Sequence, residues 1–325
     1  MSTLRLGTRG SQLALWQART AAALIEESGG PPCEVVVIRT SGDRLAEAPL
    51  SEVGGKRLFV KEIEDALLRG EVDFAVHSCK DMPAELPAGL ALGAVLPRED
   101  PRDAVVLPEG ARDPIESVED LLGLLGQQPR VGTSSVRRVA ELLRLMPGAR
   151  FLPIRGNLDT RLRKLDAGGY DALVLASAGM RRLGFASRIS LALPVDACVP
   201  APGQGAIAIE LRSGDERPRE VVARVNQGLA AAAVAAERAL VAELGGGCQV
   251  PIGALALPEG EEGLDLQAVV VSLDGQRAVR ARARGMAADA AGLGRRVARQ
   301  LVEEGAGAIL DEVRGAQGPA RGLQP

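Results

Sequence analysis

Three stretches carry residue types that could do chemistry. The first is Gly245-Gly246-Gly247-Cys248-Gln249-Val250-Pro251. Three glycines before a cysteine, with a proline close behind, exclude a helix or strand interior, so the run reads as a loop that holds a thiol within reach of other groups. The plain alternative is a small buried cysteine, the commoner fate of a free thiol. The second stretch is His77-Ser78-Cys79-Lys80-Asp81-Met82-Pro83, which follows an apolar run. Lys80 can pair with an anion and Asp81 can steady a cation, at a strand end where open α/β sheets place ligands. An aspartate in a turn before Pro83 is the ordinary alternative. The third stretch, 131–164, holds Arg137, Arg138, Arg144, Arg150, Arg155, Arg161, Arg163 and Lys164 against only Glu141 and Asp159. That local excess of +6 sits in a chain of net charge −3. A solvated helix face would interleave signs. Arginine suits bidentate carboxylates, so the stretch reads as a cleft for carboxylates or phosphates, with a nonspecific basic surface as the alternative.

These residues need elements to hold them. Alternation of apolar runs with amphipathic stretches predicts strands at 4–6, 34–39 and 72–76, with helices at 12–27 and 58–69 between them. A second unit repeats the pattern, with strands at 130–132, 151–154 and 172–176 and helices at 135–145 and 158–167. Both units run strand, Gly-Thr, Ser, helix: Gly7-Thr8-Arg9-Gly10-Ser11 and Gly132-Thr133-Ser134-Ser135. A hydroxyl there can cap the helix, and two such termini in matching places make a pair of facing anion sites. Taken singly, each is an ordinary Ser cap.

Further strands fall at 90–96 and 104–107, and the chain crosses between the units twice. One crossing is Pro97-Arg98-Glu99-Asp100-Pro101-Arg102-Asp103, the other Pro200-Ala201-Pro202-Gly203-Gln204-Gly205, followed by a strand at 206–211 that could return to the first sheet. Helices at 220–226 and 230–244 lead into the glycine loop. Strands at 252–257, 264–273 and 278–283 and a helix over 287–304 follow. The expected fold is α/β: two doubly wound, periplasmic-binding-protein-like domains plus a small α+β C-terminal domain with an antiparallel sheet. The expected divisions are 1–98 with 203–220, then 99–202, then 221–314, and a disordered tail over 315–325.

Composition narrows the function classes. Six aromatic residues in 325 leave no stacking platform for single-stranded nucleic acid, and the net charge argues against a polyanion partner. The N-terminus has no apolar signal core, and no apolar run reaches membrane-spanning length. The reading is a cytoplasmic protein with no nucleic-acid or membrane partner. Cys33, Cys79, Cys198 and Cys248 have no paired zinc spacing, and His77 is the single histidine, so no metal is expected.

Taken in order, the stretches resemble porphobilinogen deaminase, also called hydroxymethylbilane synthase. They are Leu6-Gly7-Thr8-Arg9-Gly10-Ser11-Gln12-Leu13-Ala14, Gly54-Gly55-Lys56, His77-Ser78-Cys79-Lys80-Asp81-Met82-Pro83, Arg98-Glu99-Asp100-Pro101-Arg102-Asp103, Gly132-Thr133-Ser134-Ser135-Val136-Arg137-Arg138, Arg155-Gly156-Asn157, Gly203-Gln204-Gly205 and Gly247-Cys248-Gln249-Val250-Pro251. That family joins four porphobilinogen molecules head to tail, losing ammonia, on a dipyrromethane primer held by a thioether. The resemblance implies one covalent dipyrromethane per chain at Cys248, and Asp81 as the catalytic group. It implies cofactor contacts from Lys80, Asp81, Ser78, Thr133, Ser135, Arg137, Arg138, Arg155 and Gly156. Substrate contacts fall on Arg5, Arg9, Ser11, Lys56, Arg98, Arg161, Arg182 and Gln204, and the expected state is a monomer. One departure stands out: many relatives carry Leu-x-Lys where this chain has Leu50-Ser51-Glu52. Two other classes fit less of the chain. A two-lobed binding protein for an anionic metabolite leaves Cys248 and Asp81 without a role, and a Cys–His hydrolase requires Cys248 to meet His77.

Overall fold

A computed structural model describes residues 2–41, 60–110, 115–246 and 250–316. Cys248, Lys56 and the departure at Glu52 lie outside the described residues, as does the tail from 317. The first lobe contains β1 (Leu4–Thr8), α1 (Gln12–Glu27), β2 (Cys33–Val37), α2 (Lys61–Leu68), β3 (Phe74–Ser78) and β4 (Leu90–Val95). The chain then crosses to β5 (Asp103–Val106), α3 (Val118–Leu125), β6 (Arg130–Gly132), α4 (Val136–Leu145), β7 (Arg150–Leu152), α5 (Leu158–Lys164), β8 (Ala172–Ala176), α6 (Ser177–Arg182) and β9 (Leu191–Ala192). It returns through β10 (Ile207–Arg212).

The two sheets share one plan. The first has the order β2-β1-β3-β10-β4 and the second β7-β6-β8-β5-β9. In each, the three strands of the lobe's own βα units run parallel, and one strand delivered by an inter-lobe crossing runs antiparallel. β10 therefore does return to the first sheet, as the apolar run after Gly205 suggests. The central parallel strand β3 is buried on both faces. Phe74, Ala75 and Val76 of β3 are all at or below 2% exposure, which is why the strand reads as a continuous apolar run rather than an alternating one. α1 packs Ala18, Ala21 and Ile25 onto Leu4, Leu6 and Phe74.

The C-terminal part holds α7 (Glu216–Ala223), α8 (Gly228–Glu243), β11 (Ile252–Glu259), β12 (Gly263–Val271), β13 (Ala278–Met286), α9 (Ala290–Glu303) and α10 (Ala306–Ala316). Its three strands form an antiparallel sheet, β11-β12-β13. Leu240 of α8 and Leu293, Val297 and Leu301 of α9 close its core over Ala254 and Leu266. This part touches both lobes. Ala230 and Val234 of α8 pack with Cys79, Met82 and Val95 of the first lobe, and Val269 and Val271 of β12 pack with Ala140 and Val199 of the second.

Three elements escape the sequence reading. α3, α6 and β9 are short, and six residues or fewer show no periodicity to speak of in α6 and β9. The chain from 306 also differs from expectation, because α10 runs to Ala316 and so takes in the first residues of the expected tail. Among the described residues no helix is long and apolar enough to cross a membrane.

Candidate active site

The two Gly-Thr-Ser turns sit where the capping argument puts them. Ser11 Oγ accepts from the Ala14 backbone N–H at 3.3 Å and caps α1. Ser135 Oγ accepts from the Arg138 N–H at 3.4 Å and caps α4. Thr133, nearly buried, takes the Ser135 N–H on its Oγ1 at 3.3 Å. β1 and β3 run parallel, so their C-terminal ends bring Arg9, Ser11, Ser78 and Asp81 to one pocket of about 60 Å³. Gln17 reaches it from α1 and donates to Ser78 Oγ at 2.9 Å. The sequence reading did not single out Gln17; one glutamine in an amphipathic helix gives no signal.

Asp81 ends a single helical turn after β3, with Lys80 beside it. The Lys80 ammonium lies 3.5 Å from Gln204 Oε1. Burial, then the Arg138 guanidinium, pulls the Lys80 pKa down to about 8, and Asp81 offsets this only in part. From the other lobe, Arg161 is near enough to Asp81 to feel its charge. Burial, then Arg138 and Arg155, weakens Arg161's hold on its proton, and Asp81 opposes that. The Arg155 guanidinium has no hydrogen-bond or ion-pair partner among the described residues. Its carbonyl accepts from Lys164 Nζ at 3.2 Å. Gly156 follows with φ +109°, where a Cβ would meet Thr160 Cγ2 at 2.8 Å, and its carbonyl orients Arg161 through Nε at 2.9 Å. The two lobes thus present a carboxylate amid an excess of cations.

Arg137 and Arg138 are placed differently from a free anion-binding pair. Both are buried, and both grip Asp103 at the start of β5. The distances are 2.8 Å from Arg137 and 2.7 Å from Arg138. Burial disfavours the charged carboxyl, yet the two guanidiniums outweigh it and hold Asp103 well below the usual carboxylate range. Gln204 Nε2 donates to the same Asp103 oxygen at 2.9 Å. Arg137 also meets Glu141 at 3.3 Å, one helical turn on. Burial pushes the Glu141 pKa up to about 7 against the pull of Arg137. The helix dipole gives no help to cations in the first turn of α4, and Asp103 supplies the compensation instead. Asp103 was legible only as part of a charged connection.

Two of the expected contact residues are tied to carboxylates within the fold. Arg5 lies near the opposite end of β1 and is held by Asp73 at 3.0 Å and the Gly70 carbonyl at 2.8 Å. Arg98 is committed to Glu237 at 2.6 Å, with its Nε on the Gln204 carbonyl at 2.9 Å. Both sites offered a buried or half-buried carboxylate that a sequence cannot place. Arg182 donates to the Gly205 carbonyl at 2.7 Å and lies 5.7 Å over the Trp16 ring. His77 is buried as expected, with Nε2 3.1 Å from Glu210 Oε2. That nitrogen is turned to the sheet neighbour rather than offered as a base to a thiol.

A family model described as porphobilinogen deaminase, dipyromethane cofactor binding domain, matches residues 4–220, and one for the porphobilinogen deaminase C-terminal domain matches 231–303. The chain belongs to the porphobilinogen deaminase family. The porphobilinogen deaminase of Moorella thermoacetica is 46% identical over 323 residues, covering 99% of this chain and 100% of its own. That of Trichlorobacter lovleyi is 47% identical, covering 95% and 96%. That of Acidithiobacillus ferrooxidans is 46% identical, covering 97% and 99%. The dipyrromethane-binding match of the porphobilinogen deaminase family spans both lobes, and the C-terminal match spans the sheet domain with the Cys248 position.

The residues around the cleft fit such a group. Arg137 Nε is buried without a hydrogen-bond partner, and Arg155, Arg161 and Lys80 stand close together with Asp81 and Asp103 as the opposing charge. Several carboxylates on one ligand would satisfy that surplus.

Proposed function

We propose that the chain polymerises four porphobilinogen molecules head to tail into hydroxymethylbilane, releasing ammonia at each addition, on a dipyrromethane held by Cys248. The observation that carries this reading is Asp81, a carboxylate on a rigid strand end, facing cations from both lobes. Loss of ammonia from the substrate's aminomethyl group leaves an azafulvenium-like cation. Asp81 is the group positioned to stabilise that charge and to accept pyrrole N–H bonds. Each pyrrole carries an acetate and a propionate. Arg9 and Ser11 from the first lobe's pocket, with Lys80, Arg155 and Arg161, would bind them, with Thr133, Ser135, Arg137 and Arg138 holding the far wall. When bound, the dipyrromethane supplies the pyrrole carbon on which the first unit is placed. Ser78, steadied by Gln17, would orient the ring beside Asp81.

The reading as a binding protein for an anionic metabolite explains the lobes and the cations but leaves Asp81 without work. Intact mass separates the two. The enzyme should carry an adduct equal to two porphobilinogens less two ammonias, and Cys248→Ser should lack it. Unmodified wild-type protein, prepared with substrate present, would overturn the proposal.

A further inference from the structure

A groove of about 640 Å³ lies between α1 and the turn after α6, on the side of α1 away from the pocket. Leu15, Trp16, Arg19, Asp159, Leu183 and Phe185 line it. By comparison, the pocket at Asp81 encloses about 60 Å³. Their linings draw on neighbouring residues in both lobes. Ser11 lines the pocket and Gln12, the next residue, lines the groove. On the second lobe, Arg161 faces Asp81 and Asp159, two residues before it in α5, lines the groove.

Its chemistry is also particular. Trp16 is 37% exposed, in a chain with six aromatic residues, and Phe185 lines the same groove. Arg182 lies over the Trp16 ring and makes no ion pair among the described residues, and burial lowers its pKa to about 10. Arg19 likewise has no ion pair among the described residues. An aromatic face beside two guanidiniums, set against the single carboxylate of Asp159 in the lining, suits a flat ring bearing carboxylates.

We propose that this groove is a second binding site, which takes up pyrrole units of the growing chain as they are displaced from Asp81. Trp16 supplies the stacking face, and Arg19 and Arg182 receive the acetate and propionate groups. The inference rests on the polymerase reading above. A chain that lengthens while its reacting end stays at one carboxylate needs room nearby for the earlier rings, and the pocket does not contain it.

The test uses full-length enzyme given one to four equivalents of porphobilinogen, with each enzyme-bound species resolved by intact mass. Trp16→Ala and Arg19→Glu should leave dipyrromethane loading and the early additions near wild-type rates and slow the later ones by about tenfold, so that partly extended species accumulate. Trp16→Phe should restore the later additions. Trp16 is the single tryptophan of the chain, so its emission in unmutated enzyme should fall as the later units are added. Equal slowing of all additions would mark a structural role for α1 and overturn the proposal. Unchanged later additions, or emission that stays constant through all of them, would overturn it too. Failure of the polymerase reading shows itself separately, as wild-type protein without the primer mass.

Discussion

At the residue scale, the centre is governed by charge compensation. Two buried guanidiniums share Asp103, whereas Arg161 and Lys80 stand near Asp81 with less to balance them. Lys80 turns this into a pH dependence. Its folded pKa, about 8, lies below the ordinary lysine value of 10.5. Below about pH 8 the folded chain therefore bears the full cost of a buried cation. That cost fades as pH rises toward the ordinary value, so this side chain's contribution to stability improves across the same window. Ligand carboxylates act in the opposite sense, because they favour the charged amine and raise its pKa. Substrate binding should weaken as pH climbs above about 8, and Lys80→Arg should remove that limb, since a guanidinium stays charged. The measurement is KM against pH for both proteins. Parallel profiles would show that Lys80 carries no part of the carboxylate binding.

At the element scale, both lobes place their chemistry by the same device: a parallel strand, a Gly-Thr-Ser turn and a capped helix. The periodicity of the apolar runs was enough to locate α1, β6 and β8 to the residue and α4 to within one. The short α6 and β9 were not legible, because they are held by partners rather than by their own pattern: β9 pairs with β5, and Met180 of α6 is buried with Leu173 and Leu175. The second crossing depends on a backbone form that glycine alone adopts freely. Gly205 has φ +87°, and a Cβ there would sit 2.3 Å from the Glu99 carbonyl oxygen. Its own carbonyl takes the Glu99 N–H at 3.1 Å and Arg182 at 2.7 Å. Gly205→Ala should destabilise the fold by about 1–3 kcal/mol and lower activity by loosening Arg182 and the inter-lobe link. Denaturant titration with a parallel assay checks this, and a silent substitution would mean the crossing yields more easily than its contacts imply.

At the scale of the whole molecule, the sheet domain is riveted to the first lobe by one buried pair. Glu237, fully buried in α8, accepts Arg98 on both oxygens and the backbone N–H groups of Gly203 at 2.6 Å and Ala256 at 2.8 Å. One carboxylate thus joins the first lobe, the second crossing, α8 and β11. Glu237→Ala would strand Arg98 and two amides, and should cost about 3–5 kcal/mol. Glu237→Gln should fall between it and the wild type. If chemical denaturation shows a loss below about 1 kcal/mol for the alanine variant, the domain is held by its apolar contact with Cys79, Met82 and Val95 instead.

The sequence by itself determined the class of fold, the two crossings, the two capped helices and the family, because apolar period, glycine and proline positions and ordered local motifs are properties of short segments. It also marked Asp81, Arg9, Ser11 and Arg155, which follow strand ends that such segments define, and Arg161 through the excess of arginine over 131–164. Only the tertiary structure decided how far each arginine is compensated within the fold. Arg5, Arg98, Arg137 and Arg138 read alike with Arg155 and Arg161 along the chain. They differ because Asp73, Glu237 and Asp103, all distant in sequence, are folded against the first four. Compensation of a charge depends on what lies within a few ångströms of it, and spacing along the chain does not report that.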